Sequence, residues 1–116
     1  MAKKKVLVTG AGGLIGSIVR QFLSEKYDLS GLDLMTVDGV KSHVGDLAEL
    51  ESIRPAFAGV DTVVHLGADA RGQAPWESVL RNNINGTYNV MEASREAGVS
   101  RVVFATTNHV AGYHPE

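Results

Sequence analysis

Three glycines near the N-terminus have the spacing of a phosphate-binding loop. Gly10, Gly13 and Gly16 follow a short apolar run and open a segment with helical periodicity. In such a loop glycine allows a tight turn, a close approach of the backbone to a pyrophosphate, and close packing of helix on strand. The start of the helix adds unpaired N–H groups and the positive end of the helix dipole. Because glycine clusters also form plain turns, it is the setting between strand and helix that predicts a dinucleotide site.

An acidic residue after the second predicted strand could complete such a site. Asp33 follows the apolar run from Leu29 to Leu32. A carboxylate there can accept hydrogen bonds from both hydroxyls of an adenosine ribose, and it would repel a 2′-phosphate. An isolated aspartate after a strand is more often a turn or cap residue. Together with the glycine loop, however, Asp33 predicts a site for NAD rather than NADP.

The elements that must position these residues alternate between strand and helix. Short apolar runs predict five strands, over residues 6–9, 29–32, 40–44, 62–66 and 101–105. Between them, the spacing of apolar residues predicts helices. This alternation indicates an α/β fold with a parallel sheet and right-handed crossovers. The loop-like stretch 69–75 follows the carboxyl end of a strand, where such sheets bind ligands, although it could equally be a plain connection.

Three helices are predicted. The first follows the glycine loop, and its apolar stripe consists of Leu14, Ile15, Ile18, Val19, Phe22 and Leu23. A second covers about 47–58, with Asp46 as a possible cap and Pro55 as an interruption. The third runs from Trp76 to Ala97 and ends at Gly98.

Composition narrows the class of protein. The 116 residues, 44% hydrophobic and 21% charged, are typical of one globular domain. The absence of cysteine excludes a disulfide framework and a cysteine-ligated metal site, and no metal cofactor is predicted. A net charge of −2 argues against a nucleic-acid partner. No apolar run reaches the roughly 18–20 residues of a membrane span, and the N-terminus does not match a signal peptide. We therefore expect a cytoplasmic protein without a membrane partner.

Several short motifs occur in an order typical of one enzyme superfamily. They are TGAGGLIG at Thr9–Gly16, GDL at Gly45–Leu47, HLGA at His65–Ala68, NNINGT at Asn82–Thr87 and TTNHVAG at Thr106–Gly112. The sequence resembles the extended short-chain dehydrogenase/reductases, that is, the NAD-dependent epimerase/dehydratase family. The resemblance implies a Rossmann-type, doubly wound parallel sheet of about five strands in the order 3-2-1-4-5. It also implies that residues 1–116 form one NAD-binding domain.

Within this superfamily the motifs are most similar to those of the uronate dehydrogenases, which oxidise hexuronates to aldarolactones with NAD. The resemblance then implies hydride transfer from the anomeric carbon of a small sugar acid to NAD. Two alternatives remain open. One is another sugar dehydrogenase, or a nucleotide-sugar epimerase or dehydratase, that shares this part of the fold. The other is an NAD-binding regulatory module without catalysis.

The resemblance also implies which residues contact the cofactor. These are Gly10, Gly12, Gly13, Leu14, Ile15, Gly16, Asp33, Asp46, Leu47, Gly67, Ala68 and Asn83. Asp46 would bond the adenine amine, Gly67 and Ala68 would pass beneath the ribose and pyrophosphate, and Asn83 would lie near the nicotinamide. Each has a structural alternative: Asp46 as a helix cap, Gly67 and Ala68 as packing residues, and Asn83 as a brace for a helix.

Catalytic and substrate residues are implied at the C-terminal end. Thr107 matches the Ser or Thr of the family's Ser/Thr–Tyr–Lys set, whose hydroxyl bonds the reacting oxygen of the substrate. Asn108 and His109 could hold a substrate carboxylate or hydroxyl. His65, inside a predicted strand, is interpreted as structural.

The family's proton transfer needs a tyrosine with a lysine four residues later. No tyrosine of the 116 residues has such a lysine. We therefore expect the N-terminal, cofactor-binding part of a longer enzyme, without the sixth strand and the C-terminal substrate region. By itself it is expected to bind NAD weakly or not at all, and not to turn over.

The long helix has two apolar faces. One contains Val79, Asn83, Gly86, Val90, Ala93 and Ala97, and the other contains Leu80, Ile84, Tyr88 and Met91. A helix that is apolar on two faces needs two partners. Since the resemblance places this helix in the helix bundle of a dimer, we expect a homodimer through residues 76–97.

Overall fold

Five parallel strands form the centre of the molecule, in a computed structural model that describes residues 3–107. They are β1 (Lys5–Thr9), β2 (Asp28–Asp33), β3 (Lys41–Val44), β4 (Thr62–His65) and β5 (Arg101–Phe104). Their order in the sheet is β3-β2-β1-β4-β5, and every neighbouring pair is parallel. The predicted fold class and strand order are therefore confirmed. The order reverses between β1 and β4, and open sheets of this kind bind ligands outside that point.

The central strand β1 is covered on both faces. Leu7, Val8 and Thr9 are completely buried, as its unbroken apolar run predicts. Thr9 lies level with Leu32 of β2 and with His65 of β4. The carboxyl ends of the three central strands therefore meet at one edge of the sheet, where the glycine loop begins.

The helix α1 (Leu14–Leu23) follows the glycine loop, as predicted. Gly16 is its buried residue, and Val19 and Leu23 pack partly buried against the core beside β1. The rest of the apolar stripe is exposed, namely Leu14, Ile15, Ile18 and Phe22. The stripe is thus wider than the contact with the sheet, and only one side of it is covered.

The segment predicted as one helix over 47–58 has a different structure. A short α2 (Leu50–Ile53) is followed by a 3₁₀-helix at Arg54–Phe57, and Pro55 lies in the first turn of the latter, where its missing N–H costs little. Asp46 caps neither helix. Its Oδ1 accepts the N–H of Ala48 at 2.9 Å and forms a turn ahead of α2. The prediction of one α-helix over 47–58 was therefore wrong, because the helical segment begins later, at Leu50, and its second half is a 3₁₀-helix.

The long helix has the predicted extent, but it is not α-helical throughout. It consists of α3 (Trp76–Ser78), a π-helix at Val79–Asn85 and α4 (Gly86–Ala97). Gly98 ends it in the left-handed conformation with φ +76°, as its residue type predicts. Among the helices of residues 3–107, none combines the length and the apolar character needed to cross a membrane.

One face of the long helix covers the sheet. Gly86, Val90 and Ala93 are buried there, and the last two pack in the main core with Phe57. Ala97, predicted on the same face, is exposed because it lies at the very end of the helix. The second predicted face, Leu80, Ile84, Tyr88 and Met91, is exposed along its whole length.

Candidate functional site

A groove of about 840 Å³ lies along the carboxyl edge of the sheet. The loops after β1, β2, β3 and β4 form its walls, and the chain just after β5 reaches it. Of the residues predicted to bind a cofactor, the walls contain Gly10, Gly13, Leu14, Ile15, Gly16, Asp33, Asp46, Leu47, Gly67 and Ala68. Residues far apart in sequence are thus brought together, although their roles as ligands stay predictions.

The glycine loop is packed too tightly for larger residues. Gly10 has φ +69°, and a Cβ there would lie 2.8 Å from the backbone nitrogen of Gly67. A Cβ on Gly16 would overlap the carbonyl oxygen of Gly10. The loop therefore folds against itself and against the loop after β4, and its backbone forms part of the groove wall.

Asp33 is fixed beside the glycine loop. Its Oδ2 accepts the N–H of Gly12 at 2.9 Å, and its Oδ1 accepts the N–H of Leu34 at 2.8 Å. Gly12 itself is not a wall residue, but its N–H determines where the carboxylate lies. Each carboxylate oxygen has lone pairs beyond these bonds. Asp33 can therefore accept hydrogen bonds from a diol in the groove.

The N-terminus of α1 gives one end of the groove a partial positive charge. No side chain caps the helix at its N-cap residue, Gly13. The first turn of an α-helix has N–H groups without intrahelical acceptors, and the helix dipole is positive there. Leu14 and Ile15 are exposed in that turn. One side of the groove thus suits an anion such as a pyrophosphate, and the neighbouring Asp33 suits hydroxyl groups.

Asp46 is an ionised acceptor in the wall formed by the loop after β3. Burial acts to raise its pKa, but the N–H of Ala48 and the guanidinium of Arg81 outweigh that effect, and the pKa lies below its ordinary value. Arg81, from the π-helix, lies 2.8 Å from Asp46 and 3.2 Å from Glu49. Asp46 is therefore charged at neutral pH and tied to the long helix.

The loop after β4 has an ion pair that the sequence analysis did not predict. Asp69 accepts hydrogen bonds from Nε of Arg71 at 2.8 Å and from Nη2 at 2.6 Å, and also from the hydroxyl of Ser78. These bonds, that of Arg71 foremost, hold the pKa of Asp69 well below its usual range. Arg71 is largely exposed, and both residues line the groove. The Asp-x-Arg spacing in a loop already singled out was the available signal.

Asn83 is not a wall residue, and its side chain braces this loop. Its Oδ1 accepts the N–H of Asp69 at 2.7 Å, and its Nδ2 donates to the carbonyl of the same residue at 3.0 Å. Both ends of the amide are therefore engaged with one peptide segment. The neighbouring Asn82 does line the groove, and it donates to the hydroxyl of Ser78 at 3.1 Å.

His65 lies buried behind the groove, with 2% of its surface exposed. Nδ1 is 2.6 Å from the hydroxyl of Thr9, and Nε2 is 3.2 Å from the hydroxyl of Thr87. The ring stacks on Phe104 at 5.7 Å between centroids. Burial lowers the pKa of His65 from its ordinary value. These contacts agree with its interpretation as a structural residue.

The predicted catalytic segment is only partly described. Ala105 lines the groove, and its N–H donates to the carbonyl of His65 at 3.2 Å. Thr107 follows two residues later and is exposed. Asn108 and His109, predicted to hold the substrate, lie outside the described residues.

Comparison with known proteins agrees with the fold and with the motifs. A sequence model described as the NAD dependent epimerase/dehydratase family matches residues 6–116. An NAD-dependent glucose-6-phosphate dehydrogenase from Haloferax volcanii is 39% identical, over 92% of this chain and 44% of the relative. A uronate dehydrogenase from Agrobacterium fabrum is 38% identical, over 97% of this chain and 44% of the relative. The chain thus spans less than half the length of these relatives.

Solved structures show the same similarity. A uronate dehydrogenase from Agrobacterium tumefaciens, a tyrosine-to-alanine mutant complexed with NAD, superposes with a TM-score of 0.88 at 39% identity. The match covers 98% of this chain and 44% of that one. The resemblance inferred from the motifs is therefore confirmed.

Proposed function

We propose that this chain, which belongs to the NAD dependent epimerase/dehydratase family, is the NAD-binding domain of a sugar dehydrogenase. The observation that carries the proposal is the position of Asp33, whose carboxylate is held by the N–H of Gly12 at the end of the groove. That arrangement places an acceptor for the ribose hydroxyls next to N–H donors for the pyrophosphate. These are the two groups that the adenosine diphosphate part of NAD presents.

The groove residues fit the parts of NAD. The glycine loop and the first turn of α1 would receive the pyrophosphate, and Asp33 would bind the hydroxyls of the adenosine ribose. Asp46 and Leu47 would flank the adenine. Gly67 and Ala68, after β4, leave room for the cofactor to pass. When bound, NAD accepts the hydride that leaves the substrate carbon.

The substrate class is proposed from the relatives. The matched proteins include uronate dehydrogenases and an NAD-dependent glucose-6-phosphate dehydrogenase. We favour a hexuronate oxidised at its anomeric carbon, with Thr107 bonding the reacting oxygen and with Asn108 and His109 near the carboxylate. Another sugar dehydrogenase is the alternative, and it is supported by the glucose-6-phosphate enzyme, which is equally similar in sequence.

Calorimetric titration with NAD⁺ and NADP⁺ tests the cofactor proposal. We expect the chain to bind NAD⁺ more tightly than NADP⁺. Asp33→Asn keeps an acceptor for Gly12 but removes the charge. The ratio of the NADP⁺ to the NAD⁺ dissociation constant should therefore fall by at least about tenfold, since a hydrogen bond to a charged group contributes about 1.5–3 kcal/mol. Equal affinity of the unmodified chain for both cofactors would contradict the proposal.

Asp61→Asn is the matched control. Asp61 also accepts a backbone N–H at 2.9 Å, that of Lys5, but at the opposite end of the sheet. Loss of NAD⁺ binding in both variants would indicate a general defect in folding. Loss of the preference in Asp33→Asn alone would identify the ribose contact.

We also propose a homodimer in which a second copy covers the exposed stripe Leu80, Ile84, Tyr88 and Met91. All four are exposed on the long helix, while Val90 and Ala93 of the same helix pack in the main core. A second copy would present the same face, as a two-fold interface requires.

A further inference from the structure

Both lone pairs and the proton of the Thr9 hydroxyl are engaged in hydrogen bonds, and this determines which ring nitrogen of His65 carries the proton. The backbone N–H groups of Leu66 and Gly67 both donate to Oγ1 of Thr9 at 3.0 Å. A hydroxyl has two lone pairs and one proton. Since both lone pairs accept N–H groups, the proton of Thr9 must point at Nδ1 of His65, 2.6 Å away. Nδ1 is then an acceptor, and the imidazole proton lies on Nε2 and donates to Thr87.

This chain of bonds ends at the groove. Gly67 and Ala68 line it, and Gly67 lies directly against Gly10 of the glycine loop. The order of donation therefore runs from the loop 66–68 to Thr9, from Thr9 to His65, and from His65 to Thr87. It joins the ends of β1 and β4 to the start of α4.

We propose that His65, as the neutral Nε2–H tautomer, is a positioning residue that holds the loop 66–68 in its cofactor-binding shape, and that protonation of His65 loosens this loop and weakens NAD binding. The inference rests on the proposed function for its cofactor. His65 acts through Thr9 and is not placed against the substrate.

Protonation interrupts this series of hydrogen bonds because it turns Nδ1 of His65 from an acceptor into a donor. Imidazolium carries a proton on Nδ1, but Oγ1 of Thr9 has no lone pair left to accept it. Either the Thr9–His65 bond is lost or an N–H of the loop is displaced. The groups that face the ring are the hydroxyl of Thr9 from β1, that of Thr87 from α4 and the ring of Phe104 from β5. Among residues 3–107 the hydrogen-bond partners of the imidazole are hydroxyl groups and not carboxylates, so no ion pair offsets the cost of burying its charged form.

Two variants of His65 separate the bonds. His65→Asn places an amide oxygen near the position of Nδ1 and can still accept the proton of Thr9. His65→Gln places its amide near Nε2 and offers Thr9 no acceptor. His43→Asn is the control, because His43 lies in β3, outside the groove walls, and burial also lowers its pKa.

Because burial lowers the pKa of His65 below its ordinary value, the NAD⁺ dissociation constant would be measured from pH 7.5 down to pH 4.5, so that the range includes protonation of the imidazole. We expect it to rise about fivefold for the unmodified chain and for His43→Asn, which is the effect of losing one ordinary hydrogen bond. His65→Asn should bind within about twofold of the unmodified chain at pH 7.5 and lose the pH dependence. His65→Gln should already be about fivefold weaker at pH 7.5. A pH profile that is the same for His65→Asn and the unmodified chain would overturn the inference.

Nuclear magnetic resonance distinguishes failure of this inference from failure of the proposed function. The imidazole ¹⁵N shifts should show the Nε2–H tautomer, and the exchange protection of the Gly67 amide should fall at acid pH in the unmodified chain but not in His65→Asn. If no NAD⁺ binds at any pH, these 116 residues are insufficient for cofactor binding, while these signals still decide the role of His65. An Nδ1–H tautomer, or protection of Gly67 that is independent of pH, would rule that role out.

Discussion

Gly16 is the position in the glycine loop with the least room for a side chain. Its Cβ would overlap the carbonyl oxygen of Gly10 and lie 2.8 Å from the Cα of Ala11. Both are backbone atoms, so relief requires movement of the whole loop. We expect Gly16→Ala to lower the free energy of unfolding by about 1–3 kcal/mol, as overpacked sites do. Urea unfolding followed by circular dichroism measures this change.

Gly72→Ala is the control for Gly16→Ala. Gly72 lies in the loop after β4, and apart from Gly72 and its two chain neighbours no residue has an atom within 4 Å of the position that its Cβ would occupy. Its unfolding midpoint should therefore stay close to that of the unmodified chain. If the two variants unfold at the same urea concentration, the tight packing described for the glycine loop is wrong.

At the scale of single residues, the sequence predicts a residue's structural role best where few residue types fit the position. Gly10 and Gly16 have no room for a Cβ, and Asp33 is the last residue of β2. The pair of Asp69 and Arg71 was not predicted, because two oppositely charged residues in a loop can be solvated separately. The hydrogen bond between Thr9 and His65 was also not predicted, since it depends on the register between β1 and β4 and not only on the order of the strands.

Among the elements, the π-helix Val79–Asn85 has a specific consequence for the groove. It carries Asn83, whose amide makes both of its bonds to the backbone of Asp69. Asn83→Ala removes both, and we expect it to lower the free energy of unfolding by about 1–2 kcal/mol, because the partly buried N–H and C=O of Asp69 lose their partners. The loop 69–75 should also open more often.

Limited trypsin digestion measures the opening of that loop, because Arg71 is a cleavage site within it. Cleavage after Arg71 should be faster in Asn83→Ala than in the unmodified chain. Asn85→Ala is the matched control, since Asn85 lies in the same π-helix with an exposed side chain. Equal cleavage rates in the two variants would show that the amide of Asn83 does not hold the loop.

Element boundaries were predictable to different degrees. The strands and α1 have strong local signals, and Gly98 ends the long helix with the residue type that its left-handed conformation favours. The segment 47–58 was mispredicted because Asp46 bonds the nearby N–H of Ala48 instead of a helix N-terminus. The π-helix could not be recognised from the spacing of apolar residues. It changes the number of residues per turn only slightly, so the spacing still resembles that of an α-helix.

At the scale of the whole molecule, two of the apolar faces that residues 3–107 expose lie on helices. One is the outer side of α1, where Phe22 is 71% exposed, and the other is the stripe on the long helix, where Tyr88 is 66% exposed. Exposed apolar faces mark sites of association. The proposed homodimer uses the second face and not the first, so the two faces make different predictions.

Sedimentation velocity over a range of concentrations tests which face associates. The unmodified chain should sediment increasingly as a dimer as concentration rises. Tyr88→Glu should shift the equilibrium toward the monomer by about tenfold or more, because a charge buried in an apolar contact without a partner costs at least about 1–3 kcal/mol. Phe22→Glu introduces the same charge on the exposed face of α1, and it should leave the dimer dissociation constant unchanged. A monomer at every concentration would count against the homodimer. Dissociation by Phe22→Glu alone would move the interface to α1.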